Sequence, residues 1–385
     1  MKRLISSLLT PTPLGVEPLI IVLQLRRISE VVLTTPALHL LRETWPKAKI
    51  TLVIADTCGE LAPMLPRMDE VLVFHSKLRA NRALLKRLLT GRFDICLDFT
   101  GTDRSALFSI ASRARRRVAF EWARKGPLRA LIYQKFVRVA LQPVHVVDQL
   151  LDLLRPIGVD LASSEMLPRL TVPTFAERRA QILLRECGVN ARFALVNPGA
   201  SKSEKYWLPE RWAEVILHLQ YHHGLPCILT GGSDSEEQTH LRAIQTALAM
   251  LGSGPLPLPF VVLAGQLDLT LLTALTARSA VVVTSDTAVM HIASAFKIPQ
   301  VSLFGPTNPF EWHPRHPFSR VIQASAPLDV TVEFFPDAMG APMSEIPSLS
   351  VCRALDGLLP VPVSEEAIEL MQPTSPEIVS VSDPL

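Results

Sequence analysis

The chain has 385 residues, 48% of them hydrophobic, with 39 Lys/Arg against 36 Asp/Glu and a formal net charge of +3. That length holds two ordinary domains with real cores, and so small a net charge names no partner by bulk electrostatics; no nucleic-acid partner is expected. Five scattered cysteines (Cys58, Cys96, Cys187, Cys227, Cys352) without a Cys-x-x-Cys pair argue against disulfides or a metal site and for a reducing compartment.

The opening MKRLISSLLTPTPLG places Lys2 and Arg3 before apolar residues, but Pro11 and Pro13 interrupt the run. It is therefore not expected to be a signal peptide. No apolar stretch reaches membrane-spanning length. Strands are expected at 19–25, 49–54, 70–74, 94–98 and 116–119, with helices at 30–44, 79–89 and 142–155. From Arg113 to Arg138 nine Lys/Arg face one acid, Glu121, either as a solvated face or as a surface for an anionic substrate or membrane headgroups. LPRLTVP (167–173) has the composition of a linker. A helix at 175–187 then precedes strands at 193–197, 226–230, 260–263, 280–284 and 300–304, with helices near 209–222, 234–250, 268–279 and 287–296. Continuous Val/Ile/Leu strands alternating with helices imply parallel sheets covered on both faces. The fold class is α/β: two doubly wound units of about five strands each, over 1–172 and 173–385. Beyond Pro306 the pattern weakens. Residues 325–350 are expected to form a long Pro-rich loop, 364–372 a short helix with a Ser start, and 373–385 a disordered tail.

In the second unit small and polar residues cluster where strands end. These are Pro198-Gly199-Ala200-Ser201 followed by Lys205, Thr230-Gly231-Gly232-Ser233 followed by Glu236, Ser285-Asp286-Thr287-Ala288 followed by His291, and Gly305-Pro306-Thr307. Parallel strands put all four ends along one sheet edge. Small residues admit an oxygen-rich ligand to the backbone, and a helix start offers N–H groups to phosphate. Lys205 adds a point charge, while Glu236 and Asp286 can accept from sugar hydroxyls. The set suits a nucleotide-diphosphate sugar. Taken singly, the glycines could form ordinary turns, Asp286 a helix cap and His291 a structural contact. No GxGxxG follows the first strand of either unit and no Walker-A string is present.

SDTAVMHIASAFKIPQVSLFGPTNP (285–309) resembles the signature segment of glycosyltransferase family 9, the lipopolysaccharide heptosyltransferases. NPGASKSEKYWLPERWAEV, LTGGSDSEE, the strand–loop–helix IIVLQLRRISEVVLTTPALHLLRETWPKAKITLVI and FDICLDFTGTDRSALFSIASRARRRVAF resemble its other conserved segments. The likeness spans roughly residues 18–310. It implies a GT-B architecture, two Rossmann-like domains facing across a cleft. It further implies a nucleotide-sugar donor, usually ADP-heptose, on the carboxyl-terminal domain, and an anionic glycolipid acceptor of the lipopolysaccharide core on the amino-terminal domain. Transfer would invert the anomeric centre with no tightly bound cofactor or metal. By position, Ser201 and Lys205 match donor-phosphate contacts, Glu236 with Gly232 the ribose turn, and Asp286 the residue facing the sugar. Thr287 and Ala288 match the helix start under the pyrophosphate, and His291 the motif histidine. Ser29 and Arg104 are acceptor-side candidates.

One departure stands out. The family's usual Gly-Asp is Ser29-Glu30 here. A carboxylate suits general-base work, but the extra methylene moves it by roughly 1 Å, a shift able to cost ~100-fold in rate. Three readings follow: Glu30 is the base in a repositioned loop, activity is altered or lost, or Glu30 only favours its helix start. The expected function is an inverting heptosyltransferase, cytoplasmic and peripheral to the inner membrane. The alternatives are a family member using another nucleotide sugar, and a non-catalytic GT-B protein that binds a nucleotide sugar or glycolipid.

Overall fold

The computed structural model describes residues 17–124, 127–138, 144–162, 166–189, 192–252, 256–326, 330–331 and 333–360. The first sheet contains β1 (Leu19–Gln24), β2 (Lys49–Ala55), β3 (Glu70–Phe74), β4 (Ile95–Asp98), β5 (Arg116–Phe120) and β6 (Lys135–Val137), in the order β3-β2-β1-β4-β5-β6. The second contains β7 (Ala194–Asn197), β8 (Cys227–Leu229), β9 (Phe260–Val262), β10 (Val281–Ser285), β11 (Gln300–Phe304) and β12 (Ser319–Gln323), in the order β12-β11-β10-β7-β8-β9. Read from its other edge, the second order is the same succession as the first. All the strand pairs are parallel. Two doubly wound units of this kind are the expected α/β class, but each sheet has six strands, not about five. Both sixth strands, KFV and SRVIQ, lie at sheet edges and carry a charged residue, so neither reads as a buried apolar run.

The helices are α1 (Ile28–Thr44), α2 (Arg82–Thr90), α3 (Asp103–Ala111), α4 (Pro127–Ile132), α5 (Val146–Asp152), α6 (Thr174–Glu186), α7 (Pro209–Tyr221), α8 (Ser235–Leu251), α9 (Leu269–Arg278), α10 (Ala288–Ala295) and α11 (Ser348–Asp356). Helix α11 and a 3-10 turn at Met343–Glu345 replace the end of the loop expected over 325–350. The expected elements at 364–372 and 373–385 lie outside the described residues. Helix α1 carries Pro36, which cannot donate to Val32 O; the Thr35 hydroxyl donates there instead, at 2.6 Å. The 167–173 segment is held to the first domain, with Arg169 N donating to Thr35 Oγ1 (2.8 Å) and Thr171 N to Met64 O (2.8 Å).

Each sheet is packed on both faces by apolar side chains. The domains meet where α10 lies against α1, and Ile292 is buried within the first domain's core. Polar contacts fix that meeting. Arg315 donates both guanidinium arms to Asp148 (2.6 and 2.7 Å), and His145 Nε2 meets His313 O (2.9 Å). Glu60 Oε2 accepts from Leu269 N at the start of α9 (2.5 Å). Among the described residues no helix is long and apolar enough to cross a membrane.

Candidate active site

The carboxyl ends of the second sheet share one edge, and β7 lies beside β10 where the strand order reverses, the place where such sheets bind ligands. A cavity of about 850 Å³ opens there. Ser201, Lys205, Gly232, Asp286, Thr287, Ala288 and His291 line it from the second domain, and Arg27, Ser29 and Glu30 from the first. The structure thus gathers residues spread over more than 250 positions of sequence around one cleft.

The turn after β7 is pinned by its own aromatics. Tyr206 stacks on His240 (4.5 Å between centroids, 2° between planes), while buried Trp207 meets Trp212 edge-on and donates to Ile346 O (2.9 Å). Pro209 occupies the first turn of α7, where its missing N–H costs nothing. Just before these anchors the 3-10 turn Ser203–Lys205 aims Lys205 Nζ at Asp286 Oδ2, 2.6 Å away. Asp286 therefore does not cap α10. Thr287 is the N-cap and makes no side-chain cap bond, so the N–H groups of the first turn lack that partner. One turn on, His291 is buried, and burial pushes its imidazole down to about 4, so it is neutral at pH 7.

Two features of this wall were not anticipated from sequence. Glu236, the expected ribose contact, is exposed on the first turn of α8. The α8 carboxylate that lines the cavity belongs to Glu237, one position on. Its Oε1 accepts from Gly232 N (2.7 Å), and burial pushes its carboxyl up against that bond. Gly199, Gly231 and Gly232 leave the space it fills: a Cβ on Gly199 would overlap Glu237 Oε1, and one on Gly231 would lie 2.8 Å from it. The pair Glu236-Glu237 in the sequence was the available signal, but helical phase decides which of two adjacent residues faces inward. The second feature is Asn197, the last residue of β7. Its Oδ1 accepts from Thr230 Oγ1 (3.0 Å), and its Nδ2 lies 3.4 Å from Thr284 Oγ1 and from Thr287 Oγ1. This buried network ties the ends of three strands to the start of α10.

The family model for glycosyltransferase family 9 (heptosyltransferase) matches residues 81–329, well over half of the chain. The chain belongs to glycosyltransferase family 9. Lipopolysaccharide heptosyltransferase 3 of Escherichia coli is 25% identical over 344 residues, covering 86% of this chain and 96% of that protein. Among solved structures, the glycosyl transferase family 9 protein of Veillonella parvula superposes with a TM-score of 0.75 at 22% identity, over 90% of this chain and 99% of that one. The E. coli ADP-heptose lps heptosyltransferase II gives 0.69 at 20% identity, over 88% and 98%. The GT-B architecture and a glycosyltransferase of the lipopolysaccharide heptosyltransferase type follow.

The other wall of this glycosyltransferase's cleft comes from the first β–α loop. Leu25 N donates to Thr100 Oγ1 (2.8 Å), and Arg26 forks onto Thr100 O (3.0 and 3.3 Å). The loop thereby presents Arg27, Ser29 and Glu30. Glu30 sits in the first turn of α1, as a helix-start role requires, yet its Oε2 is buried with no hydrogen-bond partner among the described residues. Arg104 does not line the cavity. It is exposed, with its guanidinium 4.7 Å from the Phe74 ring centroid. Within the basic stretch the cations divide by role. Arg117 is structural, donating to Ile132 O (2.5 Å) and Ala114 O (2.8 Å), and Arg129 pairs with Asp103. Arg115 has its side chain 82% exposed with Asp94 only at 4.0 Å, so it can meet an outside anion where Arg117 cannot.

Proposed function

We propose that this glycosyltransferase moves a heptose from ADP-heptose to an anionic lipopolysaccharide-core glycolipid, with inversion, at the cytoplasmic face of the inner membrane. The donor lies on the second domain and the acceptor on the first. The observation that carries this reading is the pairing of opposites across one cavity. An amino-terminal helix end with Lys205 faces a buried carboxyl oxygen, Glu30 Oε2, that has no hydrogen-bond partner among the described residues. The family relatives named for heptose transfer support the donor and acceptor classes.

The chemistry follows from the charges. The acceptor hydroxyl attacks the anomeric carbon, forming the new C–O bond as the bond to the diphosphate oxygen breaks. The hydroxyl proton passes to Glu30, whose unpaired oxygen suits a general base. Charge grows on the departing diphosphate, where Lys205, Ser201 and the N–H groups of Thr287 and Ala288 receive it. Asp286 and Glu237 accept from sugar and ribose hydroxyls. His291, neutral and buried, belongs to the cavity wall, its ring 6.4 Å from that of Trp312.

The test is a calorimetric screen of ADP, UDP and GDP, followed by turnover of ADP-heptose with a heptose-deficient core glycolipid. Preferential ADP binding and transfer with anomeric inversion are expected. Preference for another base, or retention of configuration, would overturn the assignment.

A further inference from the structure

On the far side of the second domain, away from the cleft, α7 ends in the sequence His218-Leu-Gln-Tyr-His222-His223-Gly224. Gly224 has φ +62°, the left-handed conformation that lets the chain turn sharply off the helix. This turn folds His223 inward, where its side chain is 1% exposed, while His218 and His222 lie one helical turn apart on the same face. All three meet the end of another helix. Asp356 Oδ1, at the last residue of α11, is 2.7 Å from His218 Nε2, 2.9 Å from His223 Nε2 and 3.7 Å from His222 Nε2. One ligand atom from each of the four residues lies within 4.8 Å of the other three. A single histidine at a helix carboxyl end is explained by the dipole. Three imidazoles converging on one carboxylate oxygen from a separate helix are not.

We propose that His218, His222, His223 and Asp356 bind one divalent ion of the zinc class. Three imidazole nitrogens and one carboxylate oxygen are a donor set that zinc accepts in a closed tetrahedron, with bonds of about 2.0–2.2 Å. Bonds of that length place donors roughly 3.3 Å apart, close to the 2.7–3.7 Å already present between Asp356 Oδ1 and the three nitrogens. His222, 47% exposed at the side chain, has room to swing in. The donor set is unsuited to magnesium, which prefers oxygen.

The site's role is mechanical. The amino end of α11 is already stitched to α7, because Trp207 and Arg211 donate to Ile346 O and Ser348 to Glu214. The carboxyl end has the His–Asp cluster. An ion there would fix the carboxyl end as well, so that α11 is held at both ends against the core that Trp212, Val215 and Ile216 share with Val351 and Leu355. That core supports the Trp207 anchor of the Lys205 turn.

The experiment uses the full chain, stripped with chelator and titrated with zinc chloride by calorimetry, with magnesium chloride as control. One saturable equivalent of zinc is expected, with a higher Tm and slower amide exchange at 219–224 and 353–358. His222→Ala and Asp356→Asn should each weaken zinc binding at least about tenfold, a loss seen even for second-shell partners of metal ligands. Both should still bind ADP like the parent, showing that they fold. Cobalt should give the intense visible absorption of a tetrahedral site. Absence of saturable zinc binding, or zinc binding in both variants equal to the parent's, would overturn the proposal. So would zinc that protects only other segments from exchange.

Discussion

Replacing Lys205 by methionine removes the charge while keeping the length of the stem, and the structure dictates two separate consequences. The first concerns stability. The Lys205 and Asp286 side chains are only 19% and 11% exposed and pair at 2.6 Å, so Lys205→Met strands a nearly buried carboxylate. Exposed pairs contribute about 0–1 kcal/mol and breaking fully buried ones costs about 3–5 kcal/mol. This pair lies between them, so a loss of about 1–3 kcal/mol is expected, more than for a free phosphate-reading lysine. The second concerns binding. A charge-assisted hydrogen bond to the diphosphate contributes about 1.5–3 kcal/mol, or roughly 10- to 150-fold in Kd for ADP. Asp286 supplies the contrast. Without the ion pair it is a negative charge beside the phosphate site, so Asp286→Asn should leave ADP binding unchanged or tighten it while lowering turnover of the nucleotide sugar. Calorimetry with ADP on both variants, beside urea melts, checks all of this. Equal weakening of ADP binding by the two substitutions would refute the separation of roles, and unchanged ADP affinity in Lys205→Met would remove Lys205 from the phosphate site.

Glu30→Gln keeps the size of the side chain and removes the proton acceptor. Donor affinity should hold while turnover falls ~100-fold or more, and a variant as fast as the parent would remove Glu30 as the base. Glu30→Asp should be slower than the parent if the loop is built for the longer side chain, and faster if Ser29-Glu30 is a loss of fitness. Gly199→Ala should displace Glu237 and weaken ADP-heptose binding, and Glu237→Ala in the same chain should relieve the overlap; calorimetry on the single and double variants reads this out. On the basic face, Arg115→Glu should lower binding to anionic vesicles with the fold intact, whereas Arg117→Glu should lower Tm, because Arg117 holds the end of α4. For pH, His145 is held neutral, with Nδ1 accepting from Val147 N and Nε2 donating to His313 O, and burial pushes it down to about 3. The unfolded chain binds the extra proton below pH ~6.5, so this contribution is whole above that pH. It is lost as pH falls toward 3, at no more than about 1.4 kcal/mol per pH unit. Urea melts should show the gap between parent and His145→Gln narrowing from pH 7 to 5; a constant gap would refute the assignment.

Much of the fold and of the candidate site was legible in the sequence because it rests on local chemistry. Val/Ile/Leu runs alternating with helices can pack only as parallel sheets between helices. Parallel strands then bring their ends to one edge, so Ser201, Lys205, Gly232, Asp286 and His291 had to converge. Edge strands β6 and β12 escaped notice because a strand buried on fewer sides needs no apolar run. The inward carboxylate was Glu237 and not Glu236 because two adjacent helical residues differ by about 100° in direction, and only the docked helix sets that phase. The pairing of Lys205 with Asp286, the use of Arg117 to end α4 and the meeting of His218, His222 and His223 with Asp356 involve partners from 15 to 138 positions apart. Sequence composition determines which groups are present. Which distant charges neutralise one another depends on how the helices and sheets pack, and only the tertiary structure decides that.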